Sequence, residues 1–365
     1  MKKFLLVLLV LSVALGSVFA NGQQGGGSAG GKGLIGIVMP TSAEERWNID
    51  GNSVKEGFDK LGYQTDLQFS NNDIPTQVSQ IEAMLLKGAK AIVIGSIDGS
   101  ALGDVLQKCA DAKCITIAYD RLLTNSPNVD YYVTFDNYKV GQHMGKIVVD
   151  GLKLDQAPAG KTYNIELFGG SPDDNNAVVV YNGAMEILKP YFDKGVITVP
   201  SGQTDFQTIA TMRWDAAEAQ KRMENLFSAF YTDKNLDGVL SPYDPISLAI
   251  LESAKGLGYA KGSATKPLPV AGGQDCIVAS CKSINDGEQY ATILKDTRQL
   301  GAATVKLVDE VLSGKTPAGL DMAQYKSTDT HVVPSLLLED TIVTKANLKS
   351  AVVDTGYHTA AECGF

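Results

Sequence analysis

Residues Asn164 to Ala177, NIELFGGSPDDNNA, decide how this chain folds and suggest what it does. Ile165, Leu167 and Phe168 supply a short apolar strand, and Gly169-Gly170 allows a tight exit from it. Asp173, Asp174, Asn175 and Asn176 then stand where a helix should begin, as caps or as groups facing a ligand. Open α/β sheets bind ligands beyond the carboxyl ends of their strands. Carboxylates and amides clustered there offer the paired acceptors and donors that a neutral polyhydroxylated molecule requires.

The same strand-turn-helix rhythm extends in both directions. Before it, strands are expected at Leu34–Met39, Tyr63–Phe69, Ala91–Ile94, Ile115–Ala118 and Tyr131–Phe135. Helices are expected at Trp47–Leu61, Ile74–Lys87 and Ala101–Ala112. After a helix near Val140–Leu152 the pattern restarts. Strands follow at Ile165, Val196–Val199, Gly238–Leu240 and Leu268–Ala271, separated by helices at Ala177–Leu188, Trp214–Phe230 and Ile246–Leu257. Near-continuous apolar strands between helices predict parallel sheets covered on both faces. Two successive βαβα blocks predict two doubly wound lobes.

The N-terminus reads as an export signal. Lys2 and Lys3 precede the apolar run Phe4–Leu15, and Val18 and Ala20 occupy small-residue positions that place cleavage after Ala20. That run is shorter than the about 20 residues needed to span a bilayer. Residues 21–33 form a Gly-rich tether. The mature chain is therefore expected to be exported and soluble. The net charge of −9 argues against a nucleic-acid partner.

Five cysteines are present. Cys109 and Cys114, and likewise Cys276 and Cys281, stand five positions apart. Together with export this spacing predicts two local disulfides and a free Cys363. Metal binding is not expected, because His143, His331 and His358 are scattered and paired Cys-x-x-Cys motifs are absent. Asp233–Asp244, DKNLDGVLSPYD, has the spacing of a calcium loop, but Asp244 stands where a bidentate Glu belongs and Val239-Leu240 reads as buried strand. A polar turn is the preferred reading. Gly26–Lys32 and Gly314-Lys315-Thr316 approach phosphate-loop spacing. The first lacks the Ser/Thr and precedes the first strand, and the second has Asp309 in place of the first glycine. No nucleophile elbow appears, and no carboxylate pair stands out as acid and nucleophile. Neither catalysis nor a cofactor is expected.

Polar residues recur after successive strands: Arg46-Trp47, Asp98, Asp120-Arg121, Asp275 and Lys295. The chain's two tryptophans are Trp47 and Trp214. Aromatic faces pack on the C–H faces of sugar rings, and charged groups bind hydroxyls in pairs.

Several stretches together resemble a known family. They are Met39-Pro40-Thr41 with Arg46-Trp47, Ser96–Gly99, Ala118–Arg121, Phe135–Asn137, Leu167–Ala177, Leu240–Asp244 and Gly287–Tyr290. The chain resembles the type I periplasmic sugar-binding proteins of the ribose/xylose/galactose cluster, in particular the ChvE-type multiple-monosaccharide-binding branch. The likeness runs from about Leu34 to Gly356. It implies two lobes joined by three hinge crossings, near Asp136, Lys295 and Val333. The lobes would be 34–136 with 296–332, and 137–295 with 333–365. Carried over by position, the resemblance implies sugar contacts from Arg46, Trp47, Asp120, Arg121, Asn175, Asn176, Trp214, Asp275 and Lys295. Asp98, Asp174 and Tyr243 are further candidates. Ribose-binding relatives have Asn-Asp where this chain has Tyr243-Asp244, which argues against a strict ribose ligand. The implied function is capture of a monosaccharide such as glucose, galactose, xylose or arabinose by a monomer, and delivery to an ABC membrane permease. Presentation of the sugar to a sensor or chemoreceptor is an alternative, and an exported sugar-processing enzyme is a weaker one.

Overall fold

A computed structural model describes residues 31–365, so the expected signal peptide and most of the Gly-rich tether lie outside the described residues. The first half alternates β1 (Leu34–Met39), α1 (Glu45–Lys60), β2 (Gln64–Phe69), α2 (Ile74–Leu86), β3 (Ala89–Ile94), α3 (Gly103–Asp111), β4 (Ile115–Tyr119) and β5 (Tyr131–Phe135). The second half runs α4 (Asn137–Leu152), β6 (Tyr163–Leu167), α5 (Asn175–Asp193), β7 (Ile197–Thr198), α6 (Phe206–Ile209), α7 (Ala216–Phe230) and β8 (Gly238–Leu240). It continues with α8 (Asp244–Gly256), β9 (Val270–Ala271), α9 (Val278–Asp286), β10 (Ala291–Leu294), α10 (Thr297–Leu312), β11 (Ser335–Leu338) and β12 (Thr341–Thr344).

Six strands form one parallel sheet in the order β2-β1-β3-β4-β5-β11. A second sheet has the order β7-β6-β8-β9, and a bridge from Gln274 to Ile293 carries it on to the antiparallel pair β10-β12. Both sheets thus follow one winding pattern. This is the doubly wound arrangement expected from strands whose two faces are apolar: Ile35, Ile37, Val38 and Met39 on β1 are all buried, as are Ile92, Val93 and Ile94 on β3.

Helices approach closely where glycine permits. A Cβ on Gly141 of α4 would lie 2.0 Å from the Val180 carbonyl oxygen of α5, and one on Gly183 of α5 would lie 2.1 Å from that of Tyr138. On the other side, a Cβ on Gly57 of α1 would meet Val305 of α10 at 2.7 Å. No helix among the described residues is long and apolar enough to cross a membrane.

Three sequence expectations need correction. The third crossing does not fall near Val333, because β11 pairs with β5 from Ser335↔Tyr132 to Leu338↔Phe135. Residues 333–338 therefore belong to the first sheet, and the chain passes to the second at Glu339-Asp340 before β12 pairs with β10. Trp214 does not start a helix. It ends a short 3₁₀ turn, and α7 begins after Asp215, whose carboxylate caps the Ala217 and Glu218 N–H groups. The disulfides are also absent: all five cysteines are free and buried, and the Cys276 and Cys281 Sγ atoms stand 3.4 Å apart, well beyond the about 2.05 Å of a disulfide. The Asp233–Asp244 segment folds as a turn into β8, with Asp237 accepting from the Asn164 N–H at 2.7 Å. Asp244 opens α8 and points into the protein, accepting from Gln289, Thr292 and the Ile277 N–H.

Candidate functional site

A narrow pocket lies where the carboxyl ends of the two sheets meet. From the first sheet come Glu44, Arg46 and Trp47 at the start of α1, and Asp120 and Arg121 after β4. From the second come Asp174 and Asn176 at the start of α5, Trp214 from the 3₁₀ turn, Tyr243 after β8, and Gln274 and Asp275 after β9. Lys295 enters from the crossing that follows β10. The arrangement obeys the rule that ligands of open α/β sheets bind beyond the strand ends.

Each group is positioned by local structure. The buried stripe of α1 is Arg46, Trp47, Asp50, Gly51, Val54 and Phe58, so the helix that covers the first sheet also aims Arg46 and Trp47 at the cleft. Asp174 caps α5 by accepting from the Asn176 N–H at 2.9 Å. Asp120, Trp214 and Asp275 hold left-handed backbone, with φ of 61°, 57° and 85°. Such conformations are uncommon for non-glycine residues and gather at ligand clamps. The Asp120 N–H donates to the Val133 carbonyl and the Asp275 N–H to that of Ile293, each at 2.9 Å. Gly170 is needed for another reason than its turn: a Cβ there would lie 2.1 Å from the Trp214 indole.

The polar groups form one buried, charge-alternating network. Arg46 Nη2 lies 3.0 Å from Asp50 and 2.9 Å from Asp120, and its Nη1 lies 3.6 Å from Asp275. Lys295 Nζ lies 3.1 Å from Asp275 and 3.9 Å from Asp120. Arg121 Nε lies 3.0 Å from Asp174. Behind them, the Tyr119 hydroxyl donates to Asp50. Burial works against the Asp120 charge, but Arg46, Lys295 and Arg121 outweigh it and hold its carboxyl below the ordinary range. Burial likewise opposes the Arg46 charge, yet Asp120, Asp50 and Asp275 keep it protonated well above its ordinary range. Burial pushes Asp50 up to about 6 and raises Glu44 and Asp174. Charges fixed against one another in this way need no rearrangement to meet a ligand.

The two tryptophans differ. The Trp47 ring carries the Arg46 guanidinium 4.4 Å and the Arg121 guanidinium 5.1 Å from its centroid, and its Nε1 donates to Glu44 at 3.1 Å. Trp214 backs onto Gly170 and meets Tyr243 edge-on at 6.0 Å between centroids. Its buried Nε1 and the buried Oε1 of Gln274 have no hydrogen-bond partner in the protein. Buried polar atoms are nearly always paired, so an unpaired donor and acceptor lining one pocket point to a polar ligand.

Of the residues singled out in the sequence, the pocket brings together Arg46, Trp47, Asp120, Arg121, Asn176, Trp214, Asp275 and Lys295, and also Asp174 and Tyr243. It does not include Asn175, which is half-buried one helical step away from Asn176. Nor does it include Asp98, whose carboxylate turns back to accept from the Ser100 N–H at 2.8 Å. Sequence reading missed Glu44 and Gln274. Both neighbour residues that were named, and adjacency was the only available signal. Among the described residues no group of three or more metal-ligating side chains occurs.

A family model described as a periplasmic binding protein domain matches residues 35–316. The chain is 51% identical over 332 residues to the multiple sugar-binding periplasmic receptor ChvE of Rhizobium radiobacter, covering 91% of this chain and 92% of that protein. It is also 51% identical over 333 residues to the multiple sugar-binding periplasmic protein SbpA of Azospirillum brasilense, covering 91% of each. A crystal structure of an ABC transporter solute-binding protein from Clostridium phytofermentans with bound β-D-glucose superposes with a TM-score of 0.84 at 40% identity, covering 90% of this chain and 99% of that one. These relatives are binding proteins rather than enzymes. With a family model matching residues 35–316, a shared overall fold and likeness along nearly all of the described residues, the chain belongs to the periplasmic binding protein family and has its type I fold.

Proposed function

We propose that this protein captures one monosaccharide, an aldopyranose of the glucose, galactose, xylose or arabinose kind, between two lobes and delivers it to an ABC sugar permease. It does so in the periplasm, after removal of a leader ending near Ala20. The first lobe comprises residues 34–136, 296–312 and the segment through β11. The second comprises 137–295 and the segment from β12 to the C-terminus. Asp136, Lys295 and Glu339-Asp340 mark the three crossings between them.

The observation that carries this reading is the buried Arg46–Asp120–Lys295–Asp275 network beside unpaired Trp214 Nε1 and Gln274 Oε1. Carboxylates accept from hydroxyls while guanidinium and ammonium groups donate to them, so each sugar hydroxyl can be satisfied both ways. Trp214 offers an aromatic face to the ring's C–H surface. Each hydroxyl left unpaired on burial costs about 1–3 kcal/mol, which is how such a site separates epimers. Sugar that touches both lobes favours the closed form over the open one, and that population shift is the signal a permease reads.

Thermal unfolding of the mature protein with a panel of monosaccharides tests the proposal. A true ligand at about 100 times its Kd stabilises the native state by roughly 2.7 kcal/mol, a plainly visible rise in Tm. No shift with any pentose or hexose would overturn the monosaccharide reading.

A further inference from the structure

One contact across the cleft uses no residue that lines the pocket. Arg213 precedes Trp214 and has left-handed backbone, with φ 56°. Its Nη1 lies 2.7 Å from Asp173 on its own side of the cleft. The same nitrogen donates to the Ile97 carbonyl on the opposite side at 3.1 Å. That acceptor is held rigidly. The Ile97 N–H donates to Gln77 Oε1 at 3.1 Å, and Gln77 Nε2 donates to the Gly95 carbonyl at 3.0 Å, with Gln77 fully buried. Arg213 is anchored too, since its own N–H donates to Ser171 Oγ at 2.8 Å. Its side chain is 35% exposed, so it sits at the rim rather than in the pocket.

We infer that Arg213 is a closing latch, a positioning residue that sets how long the ligand is held but not which ligand is chosen. The inference rests on the reading of this cleft as a monosaccharide site that closes. Opening must break the Arg213–Ile97 bond, whereas the Asp173 contact travels with Arg213. The bond therefore favours the closed state alone, and it multiplies the affinity of every ligand that closes the protein by one common factor. The cross-cleft bond from Asn176 Nδ2 to the Asp120 carbonyl at 2.7 Å, by contrast, joins residues that line the pocket, so closure and sugar contact are mixed in it. At Arg213 the two effects separate. A latch of this kind acts on escape, so it slows dissociation more than it speeds association.

The test is the variant Arg213→Gly, which removes the guanidinium and tolerates the left-handed backbone, with Arg213→Lys as the conservative partner. Equilibrium titration and stopped-flow dissociation are measured with D-glucose, D-galactose, D-xylose and L-arabinose. For every sugar the wild type binds, Arg213→Gly is expected to raise Kd about tenfold, by the same factor, carried by a faster koff. Arg213→Lys is expected to recover part of it, and the ligand-free Tm to stay unchanged. Unaltered Kd and koff in Arg213→Gly would overturn the latch alone. A factor that differs widely from sugar to sugar would overturn it as well, showing that Arg213 orients Trp214 instead. A wild type that binds none of the four would overturn the monosaccharide reading and the latch with it.

Discussion

Trp214 allows the ring contact and the hydrogen bond to be measured separately. Its indole lies against Gly170 and Tyr243 with an unpaired, buried Nε1. Trp214→Phe keeps an aromatic face and removes the N–H. The loss is one hydrogen bond, about 0.5–1.5 kcal/mol, or roughly 2- to 12-fold in Kd. Trp214→Ala removes the face as well, worth about 0.5–1.5 kcal/mol more for an aromatic contact. The two together predict a loss of about 1–3 kcal/mol, or roughly 5- to 150-fold in Kd. Isothermal titration calorimetry with the sugar that gives the largest thermal shift measures both steps. Unfolding of the ligand-free variants checks the fold, and a cooperative transition, at lower stability for Trp214→Ala, should remain in place. A Trp214→Ala protein that unfolds cooperatively and binds sugar as tightly as the wild type would refute the stacking role. Equal affinities for the Phe variant and the wild type would refute the hydrogen bond alone.

Other consequences follow from the same geometry. Asp120→Asn removes the carboxylate that Arg46 and Lys295 share, and breaking a buried pair costs about 3–5 kcal/mol; chemical denaturation should show this loss and titration should show sugar binding abolished, and an Asp120→Asn protein of wild-type stability would contradict the network. Gly170→Ala would place a Cβ 2.1 Å from the Trp214 ring, so affinity should fall by at least tenfold while the far-ultraviolet circular dichroism stays native; unchanged affinity would mean that the indole does not need that seat. Burial raises the Asp244 carboxyl to about 7, so the protonated form is the one the fold prefers, and its stabilising contribution is complete below the unfolded value near 4 and is lost as pH rises through about 7, on the order of 4 kcal/mol at most. Wild-type stability should therefore decline between about pH 4 and 7, and Asp244→Asn should flatten that slope; parallel pH profiles would contradict this. Burial raises the Cys109, Cys114 and Cys363 thiols to about 11, 12 and 12, so a thiol reagent should count five thiols after denaturation and react slowly with the native protein; fewer than five would restore a disulfide.

The βα rhythm was legible because a doubly wound sheet needs apolar strands, and Leu34–Met39 or Ala91–Ile94 can hardly be read otherwise. Strand-end chemistry was legible for the same reason, since the fold sends Asp120, Asp275 and Lys295 to one edge once their strands are known. The direction of individual side chains was not legible. Asn175 and Asn176 are adjacent, but one helical step of about 100° separates them, and only Asn176 reaches the pocket. Asp98 follows its strand as expected, yet a turn that needs its carboxylate as a cap claims it. The third crossing was misplaced because β11 and β12 are four residues each with no helix between them. Nothing in Val333–Thr344 reveals that one strand joins the first sheet in parallel and the next joins the second in antiparallel. Cysteine spacing was similarly mute: positions five apart bring the Cys276 and Cys281 sulfurs near each other without bonding them.

The central claim is that one monosaccharide is held between the two sheets by the Arg46–Asp120–Lys295–Asp275 network and Trp214. A crystal structure of the mature protein grown with D-glucose tests it most directly. The account predicts one pyranose in the pocket, its hydroxyls within hydrogen-bond distance of Asp120, Asp275 and Lys295 and a ring face on Trp214. A sugar bound elsewhere, or a pocket without sugar at saturating glucose, galactose, xylose and arabinose in turn, would contradict it.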